Sequence, residues 1–232
     1  MRNEVAGMTS VDVLEVKSLT KSVSNGSGRL DILKGVDLQI KVGESLAIIG
    51  RSGSGKTTLL SIMAGLDLPS AGQVRMLGKD LAQLDEDGRA AIRAQHVGFV
   101  FQSFQLIPTM TALENVMLPL DLAGVAESRE RARDWLDRVG LLEREGHYPR
   151  QLSGGEQQRV AVARAFATEP DILFADEPTG NLDLETGQHI MDLLFDLNKQ
   201  HSTTLILVTH DRELAGRCGR SLALDQGVLE MA

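Results

Sequence analysis

The chain has 232 residues, 42% apolar and 24% charged, enough to bury a full α/β core. A net charge of −8 and only 3% aromatic residues argue against a nucleic-acid surface, which relies on a basic stripe or stacking rings. A single cysteine, Cys218, excludes an intrachain disulfide, and no run of about 18 apolar residues is present to cross a bilayer as a helix.

Residues 1–10 are polar and without pattern, so a disordered lead is expected there, followed by one domain over 11–232. Short β-type runs come next, at Val11–Val16, Val36–Ile40, Ser45–Ile49, Gln73–Leu77 and His96–Phe101. Gly43 and Glu44 mark a turn, and Thr57–Ala64 is helical in pattern. From about residue 106 to 155, helical signals replace strand signals. Ala132, Trp135, Leu136 and Val139 recur at i, i+3, i+4 and i+7 within the charged segment Glu127–Glu145. That stretch reads as a helical subdomain inserted into an α/β core. Ile172–Ala175, Thr203–Val208 and Ser221–Leu224 are almost continuously apolar, as strands covered on both faces are. Between the first two of these runs, Ile190, Leu193, Leu194 and Leu197 give one apolar helix face.

Gly50-Arg51-Ser52-Gly53-Ser54-Gly55-Lys56-Thr57 follows the apolar run Leu46–Ile49 and opens a helix that continues through Thr58. The spacing G-x-x-x-x-G-K-[ST] in a strand–loop–helix context predicts a phosphate-binding loop. Glycines let the backbone curl with its N–H groups inward, and the helix N-terminus adds partial positive charge. Lys56 is expected to reach the β- and γ-phosphates of a nucleoside triphosphate, and the Thr57 hydroxyl to ligate Mg²⁺.

Ile172–Ala175 ends in Asp176 and Glu177 at the carboxyl edge of the predicted sheet, where ligands bind in open α/β folds. Asp176 is expected to hold Mg²⁺ through a water molecule, and Glu177 to orient the attacking water or take its proton. A solvated turn is the alternative for such a pair when it stands alone. His210 follows the run Thr203–Val208 at the same edge and is a candidate donor to the γ-phosphate, or else a structural histidine. Leu152-Ser153-Gly154-Gly155-Glu156-Gln157 places a good N-cap and two glycines before the helical segment Arg159–Thr168. It predicts a second anion-binding surface, and two such faces in one chain suggest that two chains complete each other's sites.

These motifs, with Gln102 in Phe101-Gln102-Ser103 and with Asn181-Leu182-Asp183, occur in the order of the ABC transporter ATP-binding subunits, which the chain resembles from about Val11 onward. The resemblance implies a P-loop NTPase core with a mixed β-sheet, an antiparallel β subdomain and an inserted α-helical subdomain. It implies that Gln102 contacts Mg²⁺ and the water. Ser153, Gly154, Gly155 and Gln157 would touch the ATP of a partner copy, Asp183 would couple the two sites, and His210 would meet the γ-phosphate. A homodimer on two ATP molecules is implied, beneath a separate integral membrane permease on the cytoplasmic face of the inner membrane, with no insertion of its own and no nucleic-acid partner. Gly98–Thr109 and Ala175–Asp183 resemble the LolD, MacB and FtsE branch, whose permeases have few spans and large extracytoplasmic regions. Val23 stands where relatives place an aromatic residue against adenine, which predicts weak discrimination between ATP and GTP. A regulatory ATPase at the membrane and an ABC ATPase acting on nucleic acid remain the competing readings.

Overall fold

The computed structural model describes residues 12–25 and 28–231, so the expected disordered lead at 1–10 falls outside the described residues. Strands β1 (Asp12–Asn25) and β2 (Gly28–Lys41) form a long hairpin. Strand β3 (Ser45–Ile49) runs into helix α1 (Lys56–Met63), and β4 (Ala71–Met76) and β5 (Lys79–Asp80) return to the hairpin. Helix α2 (Glu86–His96) leads directly into β6 (Val97–Phe101). Three helices follow with no strand between them: α3 (Ala112–Leu122), α4 (Ser128–Arg138) and α5 (Gly154–Phe166). The chain closes with β7 (Ile172–Asp176), α6 (Leu184–His201), β8 (Thr204–Thr209), α7 (Arg212–Gly216), β9 (Arg220–Asp225) and β10 (Val228–Met231).

One sheet is antiparallel, in the order β2-β1-β4-β5; the other has six strands, in the order β10-β9-β3-β8-β7-β6. In the second sheet all neighbours are parallel except β10, which runs against β9. The mixed sheet, the antiparallel sheet and the helices between β6 and β7 match the expected fold class.

The continuous apolar runs are explained by cover on both faces. Ile172, Phe174, Ile206 and Val208 face α1 and the antiparallel sheet in one core. Leu173, Ala175, Leu205 and Leu207, the alternate residues, face α3 to α6 in a second. Small residues let α5 lie close to the sheet: a Cβ on Gly98 would come within 2.5 Å of the Ala165 carbonyl.

Strand β2 starts well before the expected run Val36–Ile40, β5, α7 and β10 have no counterpart among the expected elements, and two further elements exceed the sequence expectation. Strand β1 runs on to Asn25 through polar residues and register breaks near Val16, Leu19 and Lys21. Helix α2 buries only Ile92, so its sequence carries no clear period.

Candidate functional site

Register gathers the site. Phe101, Asp176 and Val208 are neighbours across β6, β7 and β8, and Val208 and Thr209 pair with Ile48 and Ile49 of β3. The residues that follow these strand ends therefore leave one edge of the sheet together: Gln102, Glu177, His210 and the Gly50 loop.

The loop from Gly50 to Gly55 has the shape its glycines allow. Gly53 and Gly55 take φ of +79° and +103°, where a Cβ is strained. A Cβ on Gly50 would lie 2.4 Å from the Leu224 carbonyl, so the first glycine lets the loop pass tightly over β9. Arg51 and Ser52 are exposed, and the buried Ser54 hydroxyl has no hydrogen-bond partner among the described residues. Lys56 is buried at 9% exposure, and its Nζ donates to the carbonyls of Gly50 and Arg51 at 2.8 and 3.2 Å. Helix α1, which continues through Thr57 and Thr58, has Gly55 at its N-cap and no side-chain cap. Its first amides keep their donors for an outside acceptor.

Thr57 Oγ1 donates to Asp176 Oδ2 at 3.0 Å. Burial pushes the Asp176 carboxyl above its ordinary range, opposed by the Thr57 hydrogen bond. Glu177 sits at φ +47°, a left-handed conformation for a non-glycine residue, and its N–H donates to the Val208 carbonyl. His210 Nδ1 lies 2.8 Å from Glu177 Oε2 on a ring that is 73% exposed. Gln102 and Asn181 form a pair of amide contacts. Asn181 Nδ2 donates to the Gln102 carbonyl at 2.9 Å, and Gln102 Nε2 donates to Asn181 Oδ1 at 3.3 Å. Glu177, Gly180, Asp183 and His210 border an open cleft of about 380 Å³.

The Ser153 segment is arranged differently from the Gly50 loop. Its helix, α5, is closed by a capping box: Ser153 Oγ accepts from Glu156 N–H at 3.3 Å and donates to Glu156 Oε2 at 2.9 Å. Hydrogen bonds from the Ser153 N–H and hydroxyl hold the Glu156 carboxyl below its ordinary range. Gln157 Nε2 donates to the Leu152 carbonyl at 3.1 Å. A Cβ on Gly154 would meet Leu182 at 3.4 Å, and one on Gly155 would lie 2.6 Å from Thr186 Cγ2. The segment thus packs on the N-terminus of α6, where Asp183 accepts the Thr186 N–H at 2.9 Å and is held below the usual carboxylate range by it.

Two residues of α5 that reach toward the site were not anticipated. Gln158, fully buried, donates to the Pro178 carbonyl at 2.6 Å and the Phe101 carbonyl at 3.4 Å. Arg164 donates to the carbonyls of Gln105 and Phe104. Their partners lie 20 to 60 residues away in sequence, so spacing gave no signal.

The ABC transporter family matches over residues 33–180. The uncharacterized ABC transporter ATP-binding protein YbbA of Escherichia coli K12 is 58% identical over 225 residues, which cover 96% of this chain and 99% of that one. The lipoprotein-releasing system ATP-binding protein LolD of Legionella pneumophila (strain Paris) is 48% identical, over 94% of this chain and 96% of its own. The dimeric structure of a post-hydrolysis state of the ATP-binding cassette MJ0796, bound to ADP and Pi, superposes with a TM-score of 0.86 and 43% identity. That match covers 94% of this chain and 98% of the other. With a glycine-shaped loop beside an acidic strand end, and relatives matched along almost its whole length, the chain belongs to the ABC transporter family as an ATP-binding, ATP-hydrolysing subunit of the LolD-like kind.

Proposed function

We propose that two copies of the chain close on two ATP molecules, each Gly50–Thr57 loop facing the other copy's Ser153–Gln157 segment, and that hydrolysis parts them to work a separate membrane permease. The observation that carries this reading is the 3.0 Å pairing of Thr57 with Asp176 beside the uncapped N-terminus of α1. Hydroxyl and carboxylate oxygens suit a hard cation, and uncapped amides suit phosphate. Thr57, Gln102 and Asp176 are the residues that would hold Mg²⁺, which would supply charge neutralisation to the phosphates.

The backbone of Gly50, Arg51, Ser52, Gly53, Ser54 and Gly55 would cradle the phosphates, with Thr58 on the first turn of α1. Lys56 exchanges its two carbonyl acceptors for phosphate oxygens. Glu177 orients the water and takes its proton, while His210, 2.8 Å from the same carboxylate, is placed to reach the γ-phosphate. Ser153 gives up its bond to Glu156 to donate to the partner's nucleotide, aided by Gly154, Gly155 and Gln157. Asp183 lies against the same helix entry and couples the two sites.

The dimeric form of the MJ0796 cassette supports the homodimer. A permease with few spans and a large extracytoplasmic part, as in the LolD, MacB and FtsE branch, fits the 48% identity to LolD. The helical stretch at about 106–155 is the part that would move with that permease. An apolar groove of about 300 Å³ between β6 and α3, bordered by Phe99, Phe101 and the 77% exposed Leu122, supports a contact there. No helix among the described residues is long and apolar enough to cross a membrane. In this reading the permease, not the chain itself, holds it at the cytoplasmic face of the membrane.

The test is Mg²⁺-dependent ATP hydrolysis against protein concentration, with Glu177→Gln alongside. The proposal predicts a rate per chain that rises with concentration and a silent variant. Turnover per chain that stays flat while the protein is monomeric contradicts it.

A further inference from the structure

The segment from Phe101 to Ile107 holds an arch whose backbone does not favour its own shape. Phe104 and Gln105 are adjacent, neither is glycine, and both are left-handed, at φ +59° and +48°. Sterics between Cβ and the following carbonyl disfavour that region, and a bulky aromatic is among the residues it suits least. Two in succession persist only where the surroundings hold them.

What holds them is one side chain of α5. Arg164 Nη1 donates to the Gln105 carbonyl at 2.7 Å, and Nη2 donates to the Phe104 carbonyl at 3.1 Å. The planar guanidinium fork needs two acceptors turned to the same side, which the left-handed pair provides. Burial alone lowers the Arg164 pKa, with no carboxylate acting against it, so these carbonyls are its acceptors among the described residues. Six residues nearer the start of the same helix, Gln158 binds the Phe101 carbonyl at the start of the arch and the Pro178 carbonyl next to Glu177. Helix α5 begins at the Ser153 cap, roughly 16–17 Å from Arg164 at 1.5 Å per residue.

We propose that Arg164 is a positioning residue: it holds Phe104 and Gln105 in a left-handed arch and so fixes Gln102 to the helix that begins at Ser153. A nucleotide drawn against Ser153 then shifts α5 as a rod, and the Gln102 arch moves with it. The functional half of this rests on the reading of Gln102 given above, whereas the clamp itself does not.

Two measurements separate the halves. Hydrogen exchange followed on peptides within 101–107 reads the arch directly, because the Phe104 N–H bonds the Phe101 carbonyl and the Ile107 N–H bonds Asn115 Oδ1. Arg164→Met should raise exchange there about tenfold and leave α1 and β8 as in the parent. Steady-state hydrolysis should show kcat down about tenfold with the KM for ATP within twofold, the mark of a group that positions rather than binds. Adding Gln105→Gly, which takes positive φ without a Cβ penalty, should recover most of the lost kcat, while Gln105→Gly alone stays within twofold of the parent.

Unchanged exchange in Arg164→Met overturns the proposal, and so does a kcat loss that Gln105→Gly leaves untouched. If Arg164→Met does not fold, Arg164→Lys carries the same comparison, since an ammonium keeps the charge but not the fork. Exchange in Arg164→Lys equal to that of the parent then overturns the proposal. A parent protein without ATPase activity counts against the function proposed above, and the exchange comparison still decides the clamp.

Discussion

Replacing Gly155 by alanine tests how closely the entries of α5 and α6 are packed. The new Cβ would stand 2.6 Å from Thr186 Cγ2. Carbon atoms settle at about 3.5–4.0 Å, so the overlap is roughly 1 Å. Thr186 has little room to retreat, because a β-branched side chain in a helix has few rotamers, and its N–H is bound to Asp183 at 2.9 Å. Overpacking of this kind costs about 1–3 kcal/mol, and the better helix propensity of alanine returns up to about 1 kcal/mol. A net loss of about 1–2 kcal/mol remains, or roughly 2–8 °C in Tm for a chain of this size. Urea and thermal unfolding of Gly155→Ala, Thr186→Ser and the double variant measure it. Thr186→Ser deletes the offending methyl, so the double variant should recover about 1 kcal/mol, a coupling visible in the cycle. A Gly155→Ala protein as stable as its parent, or a double variant no better than Gly155→Ala, would refute the packing argument.

Asp176→Asn should raise the thermal midpoint of the metal-free protein at pH 7 while lowering Mg²⁺-dependent hydrolysis by about a hundredfold or more. The sign follows from burial, which lifts the folded carboxyl above its unfolded value of about 3.9. Its stabilising share is present below the unfolded pKa and is lost as pH rises through the folded one, so at neutral pH the ionised group opposes folding; a lower midpoint in the variant would contradict this. Val23 is 41% exposed and aliphatic, so GTP and ATP should be hydrolysed at rates within about threefold and Val23→Tyr should favour ATP. A strong ATP preference in direct competition would exclude this. Burial pushes the Cys218 thiol up to about 11, so at pH 8 the thiolate is about a thousandth of the population. A disulfide reagent should label the native chain slowly and the urea-unfolded chain fast, and equal rates would show the burial to be wrong.

The parts of the fold legible in the sequence are those decided locally. The runs Ile172–Ala175 and Thr203–Val208 announce strands because both faces are covered; the structure extends the first by one residue, to Asp176, and shifts the second by one, to Thr204–Thr209. The Gly50–Thr57 spacing is legible because curling around an anion demands glycine at fixed intervals. The Ser153 cap is equally local, although the part played by Glu156 in closing it emerged only with the geometry. What escaped depends on partners far along the chain. The second half of β1, Lys17 to Asn25, is polar and exists because β2 pairs with it. Strands β5 and β10 are short edges. The alignment of Phe101, Asp176 and Val208, which places Gln102, Glu177 and His210 at one edge, is a matter of register that no single segment records. Gln158 and Arg164 look like ordinary polar residues of a helix until their acceptors 20 to 60 residues away are seen.

The central claim is that two chains share two ATP molecules, and the mass of Glu177→Gln in solution tests it most directly. Light scattering during gel filtration should give one chain of 25.1 kDa without nucleotide and twice that mass with Mg²⁺ and ATP. Addition of Ser153→Arg, which places bulk and charge at the proposed meeting surface, should return the ATP-bound protein to one chain. A Glu177→Gln protein that binds ATP and stays a single chain at tens of micromolar would contradict the account.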